Sequence, residues 1–285
     1  MKIIRAEHLG MCFGVRDAIS MARHEAAARP LTVLGQLVHN ESVLDDLRER
    51  GVRFEDNPLL VGTDRAMITA HGSSERAKER ARKAGLALRD ATCPLVQYAH
   101  EELRGLVREG WHPVIVGKRG HVEVNGLSED FEECDVILSE SDVRALAERK
   151  RFGVVAQTTQ PIARVRVLVS LLRKRFPEAA VRFVDTVCQP TKQRQSAALG
   201  LARRSDVIIV IGGVNSNNTR ELVRSCSREC AHVYHVQGPA DISEEWLEGT
   251  EVVGVTAGTS TPDELIDSVE LRLREMAQQP AVQVA

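Results

Sequence analysis

The residues with the most specific chemistry in this chain are cysteines, and three of its six cysteines have unusual neighbours. Cys12, Cys93 and Cys188 each lie within two residues of glycine or proline, which favours a turn. Each is followed by a stretch with helical periodicity, and a helix N-terminus favours the thiolate form of cysteine. Three thiolates leave one iron of a four-iron cluster open to another ligand. An open metal position is typical of catalysis, so these residues predict an iron–sulfur enzyme.

The other three cysteines, Cys134, Cys226 and Cys230, are interpreted as small core residues. Cys226 and Cys230 are four residues apart on a predicted helix, so we expect them to share a face. A zinc site needs further ligands, and no second cysteine pair follows.

Three histidines each follow an apolar run and precede a predicted helix. His39, His71 and His121 are therefore expected at strand ends, where parallel α/β sheets bind their ligands. Glu123, two residues after His121, supplies a proton if its surroundings keep it protonated at neutral pH. An exposed glutamate at a helix start is the alternative interpretation.

Two loops of small polar residues, 212–219 and 256–262, each join an apolar strand to a helix. Backbone N–H groups at a helix start, helped by hydroxyl and amide side chains, bind phosphate. The stretch Gln157-Thr158-Thr159 has a similar character. None of the three matches a glycine-rich nucleotide-binding pattern, so nucleotide binding is not indicated.

The overall composition excludes several classes of protein. The chain has 285 residues, a formal charge of −2, 43% hydrophobic residues and only 4% aromatic residues. These values are ordinary for a soluble globular protein and speak against a nucleic-acid partner. The charged N-terminal residues lead us to expect no signal peptide, and no apolar run reaches the ~20 residues that span a bilayer. We therefore expect no membrane association and a cytoplasmic location, where cysteines stay reduced.

The elements that must position these residues alternate between strand and helix, which predicts an α/β fold with mainly parallel sheets. The predicted strands are Leu31–Leu34, Ala66–Thr69, Pro113–Val116, Val136–Leu138, Phe152–Ala156, Val181–Val184, Asp206–Ile211, His232–Val236 and Glu251–Thr256. The predicted helices are Val15–Ala28, Glu41–Arg50, Ser73–Lys83, Pro94–Arg108, Asp142–Glu148, Ile162–Arg175, Thr191–Arg203 and Pro262–Met276. One selected cysteine precedes a helix in each third of the chain, so we predict three similar α/β domains at 1–92, 93–187 and 188–285.

Taken together, the motifs resemble those of the LytB/IspH family, the 4-hydroxy-3-methylbut-2-enyl diphosphate reductases of the non-mevalonate (MEP) isoprenoid pathway. The resemblance runs from about residue 3 to residue 276. It is carried by Gly-Met-Cys-Phe-Gly-Val, Leu-Val-His-Asn, Ala-His-Gly, Asp-Ala-Thr-Cys-Pro-Leu-Val, Gly-His-Val-Glu-Val, Gln-Thr-Thr, Asn-Ser-Asn-Asn and Thr-Ala-Gly-Thr-Ser-Thr-Pro. Eight motifs in one order are specific in combination.

The resemblance implies three α/β domains around a central 4Fe-4S cluster, whose ligands are Cys12, Cys93 and Cys188. It implies a reductive dehydroxylation to isopentenyl and dimethylallyl diphosphates, with electrons from a ferredoxin or flavodoxin. The residues that it implies for catalysis are Glu123, His121 and Thr158. The residues that it implies for binding the allylic diphosphate are His39, His71, His121, Thr158, Ser216, Asn217, Asn218 and Ser260.

Two positions depart from the family pattern. Val122 stands where the family usually has proline before the glutamate, and Asn217 stands where it usually has serine or glycine. Two other classes of function are the alternatives. One is a three-domain iron–sulfur enzyme of the quinolinate synthase type, which needs no electron donor. The other is a non-catalytic iron–sulfur or zinc sensor, in which Glu123 and Thr158 are dispensable.

Overall fold

Three parallel β-sheets, each covered by helices, form the fold of residues 1–278, the part of the chain that the computed structural model describes. The strands in this part are β1 Lys2–Arg5, β2 Thr32–Leu34, β3 Arg53–Glu55, β4 Arg65–Ile68, β5 Ala87–Asp90, β6 His112–Val116, β7 Asp135–Ile137, β8 Arg151–Ala156, β9 Ala180–Phe183, β10 Val207–Ile211, β11 His232–Val236 and β12 Val252–Ala257. The α-helices are α1 Phe13–Ala28, α2 Glu41–Glu49, α3 Glu75–Lys83, α4 Pro94–Arg108, α5 Val122–Ser128, α6 Glu140–Ala145, α7 Ile162–Arg175, α8 Gln189–Ala202, α9 Asn217–Cys226 and α10 Asp263–Gln278.

The three sheets repeat one strand order. Two of them run β3-β2-β4-β5 and β7-β6-β8-β9, so each has the order second, first, third, fourth along the chain. The remaining sheet runs β11-β10-β12-β1, in the same order, except that the N-terminal strand β1 takes the fourth place. All pairings are parallel. The first and third strands of each sheet are therefore neighbours, and their carboxyl ends meet at one edge.

Apolar runs form the inner strands because helices cover both faces of a parallel sheet. Strand β10, with the sequence Val-Ile-Ile-Val-Ile, is buried at every position. Its residues alternate between two clusters: Ile209 packs with residues of α10, whereas Ile208 packs with residues of α8 and α9. The same alternation places Val154 and Val155 of β8 in two different clusters.

The chain divides into two compact units. The terminal unit comprises Met1–Cys12, His39–Glu41 and Gln189–Ala285, and it contains the sheet of β1, β10, β11 and β12. The central unit comprises Phe13–Val38 and Ser42–Cys188, and it contains the other two sheets. Within residues 1–278, none of the helices combines the length and the apolar character needed to cross a membrane.

The predicted α/β class with parallel sheets is confirmed. Helices α4 and α7 have their predicted bounds, and all nine predicted strands are present within about two residues at each end. Three strands were missed, β1, β3 and β5, and each lies at the edge of its sheet. The domain boundaries at 92/93 and 187/188 stay predictions, and residues 279–285 of the third predicted domain lie outside the described residues.

Candidate active site

The loops that follow the first and third strands of each sheet contain the candidate site residues. In the central unit, His71 follows β4, His121 follows β6 and Thr158 follows β8. In the terminal unit, Ser216 follows β10 and Ser260 follows β12. Ligands bind in parallel sheets where neighbouring strands of this kind lead to opposite faces. The strand order thus places these loops at sheet edges of the kind where ligands bind.

Glu123 lies in the first turn of α5 and is almost completely buried, with 1% of its surface exposed. The backbone N–H of Thr158 donates a hydrogen bond to its Oε1 atom over 2.6 Å, and the Thr158 hydroxyl also contacts the carboxyl group. Burial raises the pKa of Glu123 from 4.5 to about 7, although the two Thr158 hydrogen bonds oppose this shift. A carboxyl group with this pKa holds a proton near neutral pH and can release it, as a general acid must.

His121 caps the same helix. Its Nδ1 atom accepts a hydrogen bond from the Glu123 backbone N–H over 3.2 Å, so a neutral ring has its proton on Nε2. The ring of His71 packs edge-on against that of His121, with 5.7 Å between the ring centroids. The structure therefore brings together four predicted residues of the central unit: His71, His121, Glu123 and Thr158.

In the terminal unit, the start of α9 and the loop after β12 form a second group of polar residues. Ser216 caps α9 by accepting a hydrogen bond from the Thr219 backbone N–H. The Oδ1 atom of Asn218 accepts from the Thr259 backbone N–H over 3.0 Å. The Nδ2 atom of Asn218 has no hydrogen-bond partner among the described residues, although this side chain is only 2% exposed. A buried donor without an acceptor is costly, so this group fits a site for an oxygen-rich anion.

His39 joins this second group through its backbone. The Ser260 hydroxyl donates a hydrogen bond to the His39 carbonyl oxygen over 3.3 Å. Gly213 also packs closely here, because a Cβ atom added to it would lie 2.3 Å from the same oxygen. Asn217 is buried in the first turn of α9. The terminal unit therefore groups the remaining predicted binding residues: His39, Ser216, Asn217, Asn218 and Ser260.

Each of the three selected cysteines directly precedes a helix, as predicted: Cys12 before α1, Cys93 before α4 and Cys188 before α8. Each also follows the strand in the fourth place of its sheet, which is β1, β5 or β9. Their backbone N–H groups donate to Thr259, Ala70 and Thr158 carbonyl oxygens respectively, over 3.0 to 3.1 Å. All three are partly exposed. Backbone hydrogen bonds thus connect every cysteine to a loop that contains candidate site residues.

Gly14 leaves space for the Cys93 thiol. A Cβ atom at Gly14 would lie 2.4 Å from Cys93 Sγ, which is closer than real side chains approach. Cys93 is the N-cap residue of α4, but its side chain makes no capping hydrogen bond. The packing therefore reserves room around a sulfur atom, and three such cysteines at helix starts are a donor set that suits a cluster. Within residues 1–278, no three His, Cys, Asp or Glu side chains are grouped closely enough to hold a metal ion.

The interpretation of the other cysteines as core residues agrees with their burial, with one correction. Helix α9 ends at Cys226, so Cys230 lies beyond it and the two do not share a helix face as expected. The chain turns there because the Cys230 N–H bonds back to the Cys226 carbonyl at the helix end. Burial raises the pKa of Cys226 and of Cys134 to about 12, which keeps both thiols protonated.

Two supporting contacts gave no signal in the sequence, although Gln157 itself lies in a stretch that the sequence singled out. The Nε2–H group of His235 on β11 donates to the Gly212 carbonyl oxygen over 2.7 Å and so supports the loop before α9. Gln157 accepts a hydrogen bond from the Lys118 N–H, which ties the loop after β8 to the loop after β6. Both contacts join residues far apart in the chain, so local pattern alone does not reveal them.

Comparison with known proteins identifies the family. The model of the LytB protein family matches residues 3–274. The chain belongs to the LytB family. A protein of Trichlorobacter lovleyi named 4-hydroxy-3-methylbut-2-enyl diphosphate reductase is 37% identical over 278 residues, covering 97% of this chain and 99% of that protein. A protein of Citrifermentans bemidjiense with the same name is 39% identical over 272 residues, covering 94% of this chain and 95% of that protein.

Solved structures of LytB proteins have the same fold. The Plasmodium falciparum E-1-hydroxy-2-methyl-but-2-enyl-4-diphosphate reductase matches with a TM-score of 0.90 and 25% identity, covering 98% of this chain and 88% of that one. A structure of (E)-4-hydroxy-3-methyl-but-2-enyl diphosphate reductase, described as the terminal enzyme of the non-mevalonate pathway, matches with a TM-score of 0.68 and 34% identity. It covers 96% of this chain and 100% of that one. The family predicted from the motifs is confirmed.

The space at Gly14 generates the first prediction. We expect Gly14→Ala to lose most of its bound iron after anaerobic reconstitution, because the added methyl group occupies the position next to Cys93 Sγ. Overpacking of this kind also destabilises a protein by ~1–3 kcal/mol. The matched control is Gly105→Ala, also in a helix, where an added Cβ meets nothing within 4 Å. Iron content by colorimetric assay is the measurement, and wild-type iron in Gly14→Ala would contradict the prediction.

The departure of this LytB chain at Val122 generates the second prediction. Val122 is the first residue of α5, where proline is well tolerated, and His121 before it has the extended conformation that precedes proline. We expect Val122→Pro to keep the fold and to raise the free energy of unfolding by ~0.4–1 kcal/mol. Asn125→Pro is the control: it removes the N–H that bonds to the His121 carbonyl and should cost ~3 kcal/mol. Denaturant unfolding gives the free energy of unfolding of both variants, and an equal decrease in the two would refute this account of α5.

Proposed function

We propose that this protein is a 4-hydroxy-3-methylbut-2-enyl diphosphate reductase, the terminal enzyme of the non-mevalonate pathway. The reaction breaks the allylic C–O bond: two electrons and two protons enter, water leaves, and isopentenyl or dimethylallyl diphosphate forms. Membership of the LytB family, whose model matches most of the chain, supports this activity. The observation that carries it is the buried carboxyl group of Glu123, which contacts Thr158 and whose pKa burial raises to about 7.

Cys12, Cys93 and Cys188 are the proposed ligands of a 4Fe-4S cluster. Their positions before three helices and the space at Gly14 beside Cys93 Sγ support the proposal. When bound, a cluster with three cysteine ligands supplies electrons and one Lewis-acidic iron for the substrate oxygen. Because the alternatives also use a cluster or a metal, the cysteines alone do not distinguish a reductase from them.

Glu123 is the proposed general acid. A leaving hydroxyl group departs as water only if it receives a proton, and a buried carboxyl with a pKa of about 7 can deliver one. Thr158 holds the carboxyl group through its backbone N–H, and its hydroxyl lies within the same hydrogen-bonded group. His71 and His121, whose rings pack together, are proposed to line the substrate beside Glu123.

The group in the terminal unit is the proposed diphosphate site. The N-terminus of α9 and the unfilled Asn218 Nδ2 donor favour an anion, and the Ser216 hydroxyl can add a further donor. The Ser260 hydroxyl can donate to the anion in exchange for its hydrogen bond to the His39 carbonyl oxygen. His39 and Asn217 complete the proposed set. These donors concentrate positive potential locally, so the formal charge of −2 on the whole chain does not oppose an anionic substrate.

An external protein must supply the electrons, and we propose a ferredoxin or a flavodoxin. The proposed location of the protein is the cytoplasm, where such carriers and reduced cysteines occur together.

Anaerobic assay of the reconstituted protein tests the proposed function. With 4-hydroxy-3-methylbut-2-enyl diphosphate and a reduced viologen dye, we expect two dye molecules to be oxidised for each isopentenyl or dimethylallyl diphosphate formed. Product identity is measured by mass spectrometry. A colourless, iron-free protein would contradict the cluster, and a coloured but inactive protein would favour the sensor alternative. Consumption of the substrate without a reductant, with a product that is not reduced, would favour an enzyme of the quinolinate synthase type.

The environment of Glu123 generates a further prediction. We expect Glu123→Gln to keep the cluster absorbance but to lower kcat by ~10²-fold or more, the usual effect of losing a general acid. Wild-type kcat/KM should fall as the pH rises through about 7, because Glu123 loses its proton there. The matched control is Glu129→Gln at the other end of α5, where the carboxyl group is more exposed and contacts Arg80. Wild-type turnover in Glu123→Gln would show that another group delivers the proton.

The same residue also makes stability depend on pH. Between pH 4.5 and about 7 the folded protein binds a proton at Glu123 that the unfolded chain has lost. The contribution of Glu123 to stability therefore falls as the pH rises through this interval. We expect Glu123→Gln to remove that contribution, so its Tm should decline less than the wild-type Tm between pH 5 and about 8. Parallel Tm curves for the two proteins would contradict the burial of this carboxyl group.

A further inference from the structure

Helix α8 has a buried face whose first half is polar. The buried positions recur every three or four residues, as expected for a helix that packs against a core. They are Thr191, Arg194, Gln195, Ala198, Leu201 and Ala202. Arginine and glutamine are rarely so buried, because removing their polar groups from water is unfavourable unless hydrogen bonds replace it. The buried polar residues in the first two turns of α8 therefore need an explanation other than packing.

Arg194 connects the two segments of the terminal unit that lie nearest to proposed ligand cysteines. It is 8% exposed. Its Nε–H donates to the Gly10 carbonyl oxygen over 2.8 Å, and its Nη1–H donates to the Pro190 carbonyl oxygen over 3.1 Å. Gly10 is two residues before Cys12, and Pro190 is two residues after Cys188. Two residues span at most ~7 Å of chain, so the guanidinium group is close to the start of both cysteine segments.

We propose that Arg194 is a positioning residue for the proposed cluster: it fixes the backbone before Cys12 against the first turn of α8 and places a permanent positive charge beside the cysteines. The inference rests on the proposed function. It goes beyond that function because it assigns two effects, on cluster retention and on reduction potential, to a residue that need not touch the substrate.

The geometric role and the electrostatic role proposed for Arg194 require different properties of its side chain, so they can be tested separately. The planar fork of arginine suits two carbonyl oxygens in different directions, because Nε–H and Nη1–H project from separate nitrogen atoms, whereas the three N–H donors of lysine share one. The electrostatic effect needs only a positive charge, because each added electron makes the cluster more negative. At about 10 Å and an effective dielectric constant of about 20, a unit charge changes such an equilibrium roughly tenfold.

Gln195, the neighbour of Arg194, is a second buried polar side chain in this region. Its Nε2 atom has no hydrogen-bond partner among the described residues, and the side chain is mostly buried. A helix stripe that served packing alone would have apolar residues at both positions.

The test compares reconstituted wild-type holoprotein with Arg194→Gln and Arg194→Lys. The first readout is the cluster midpoint potential from an EPR-monitored redox titration, and the second is the rate of iron release to a chelator. For Arg194→Gln we expect a roughly tenfold less favourable one-electron reduction, which is about 59 mV more negative, and faster iron release. For Arg194→Lys we expect the equilibrium constant for cluster reduction to stay within about threefold of the wild-type value, because the positive charge is kept. Iron release should nevertheless be about tenfold faster, because the fork of arginine is lost.

The matched control is Arg203→Gln. Arg203 lies just after the other end of α8 and pairs on the surface with Glu229, so the same charge change there should leave both readouts unchanged. A wild-type midpoint in Arg194→Gln, or an equal shift in Arg203→Gln, overturns the charge role. If Arg194→Gln does not fold, wild-type iron release in Arg194→Lys overturns the proposal. A colourless or inactive wild-type protein would instead indicate failure of the proposed function.

Discussion

The burial of one carboxyl group is the constraint on which the candidate site depends. Glu123 is held by hydrogen bonds from Thr158 and is otherwise withdrawn from water, so its pKa is raised. Withdrawal from water disfavours the carboxylate, whereas the Thr158 hydrogen bonds favour it, so the carboxyl group can both hold and release a proton near neutral pH. Contacts of the neighbouring loops surround it: His121 caps the helix start, and Gln157 ties the two loops together.

The strand order that recurs in all three sheets determines which loops contain the candidate site residues. In every sheet the loops after the first and third strands contain candidate site residues, and the segment after the fourth strand contains a cysteine. The repeat lies in topology rather than in sequence, because the three sets of loops share no motif. Equivalent positions thus have distinct proposed roles: a proton donor in the central unit and anion-binding amides and hydroxyls in the terminal unit. One architecture, used three times, provides different parts of a single proposed reaction.

The sequence predicted the fold class, all six inner strands and the residues that the structure groups in each unit, because apolar runs and helix starts are local signals. Three of the six edge strands, β1, β3 and β5, were missed, and none of their residues is fully buried. The pairing of β1 with β12 was not predicted, because nothing local in Lys2–Arg5 specifies a partner about 250 residues away. The burial of Arg194 was also missed: its partners are backbone carbonyl oxygens, which any sequence provides. Long-range backbone contacts account for most of what remained unpredicted.

The pairing of β1 with β12 has a consequence for synthesis of the chain. Lys2 to Arg5 are synthesised about 250 residues before their partners Val252 to Val255. The sheets of the central unit can form during translation, since every strand in them pairs within its own segment. The terminal sheet is complete only after β12 has been synthesised, and contacts of such high sequence separation form slowly. Because Cys12 follows β1, we expect the backbone around this residue to be fixed only after β12 has been synthesised.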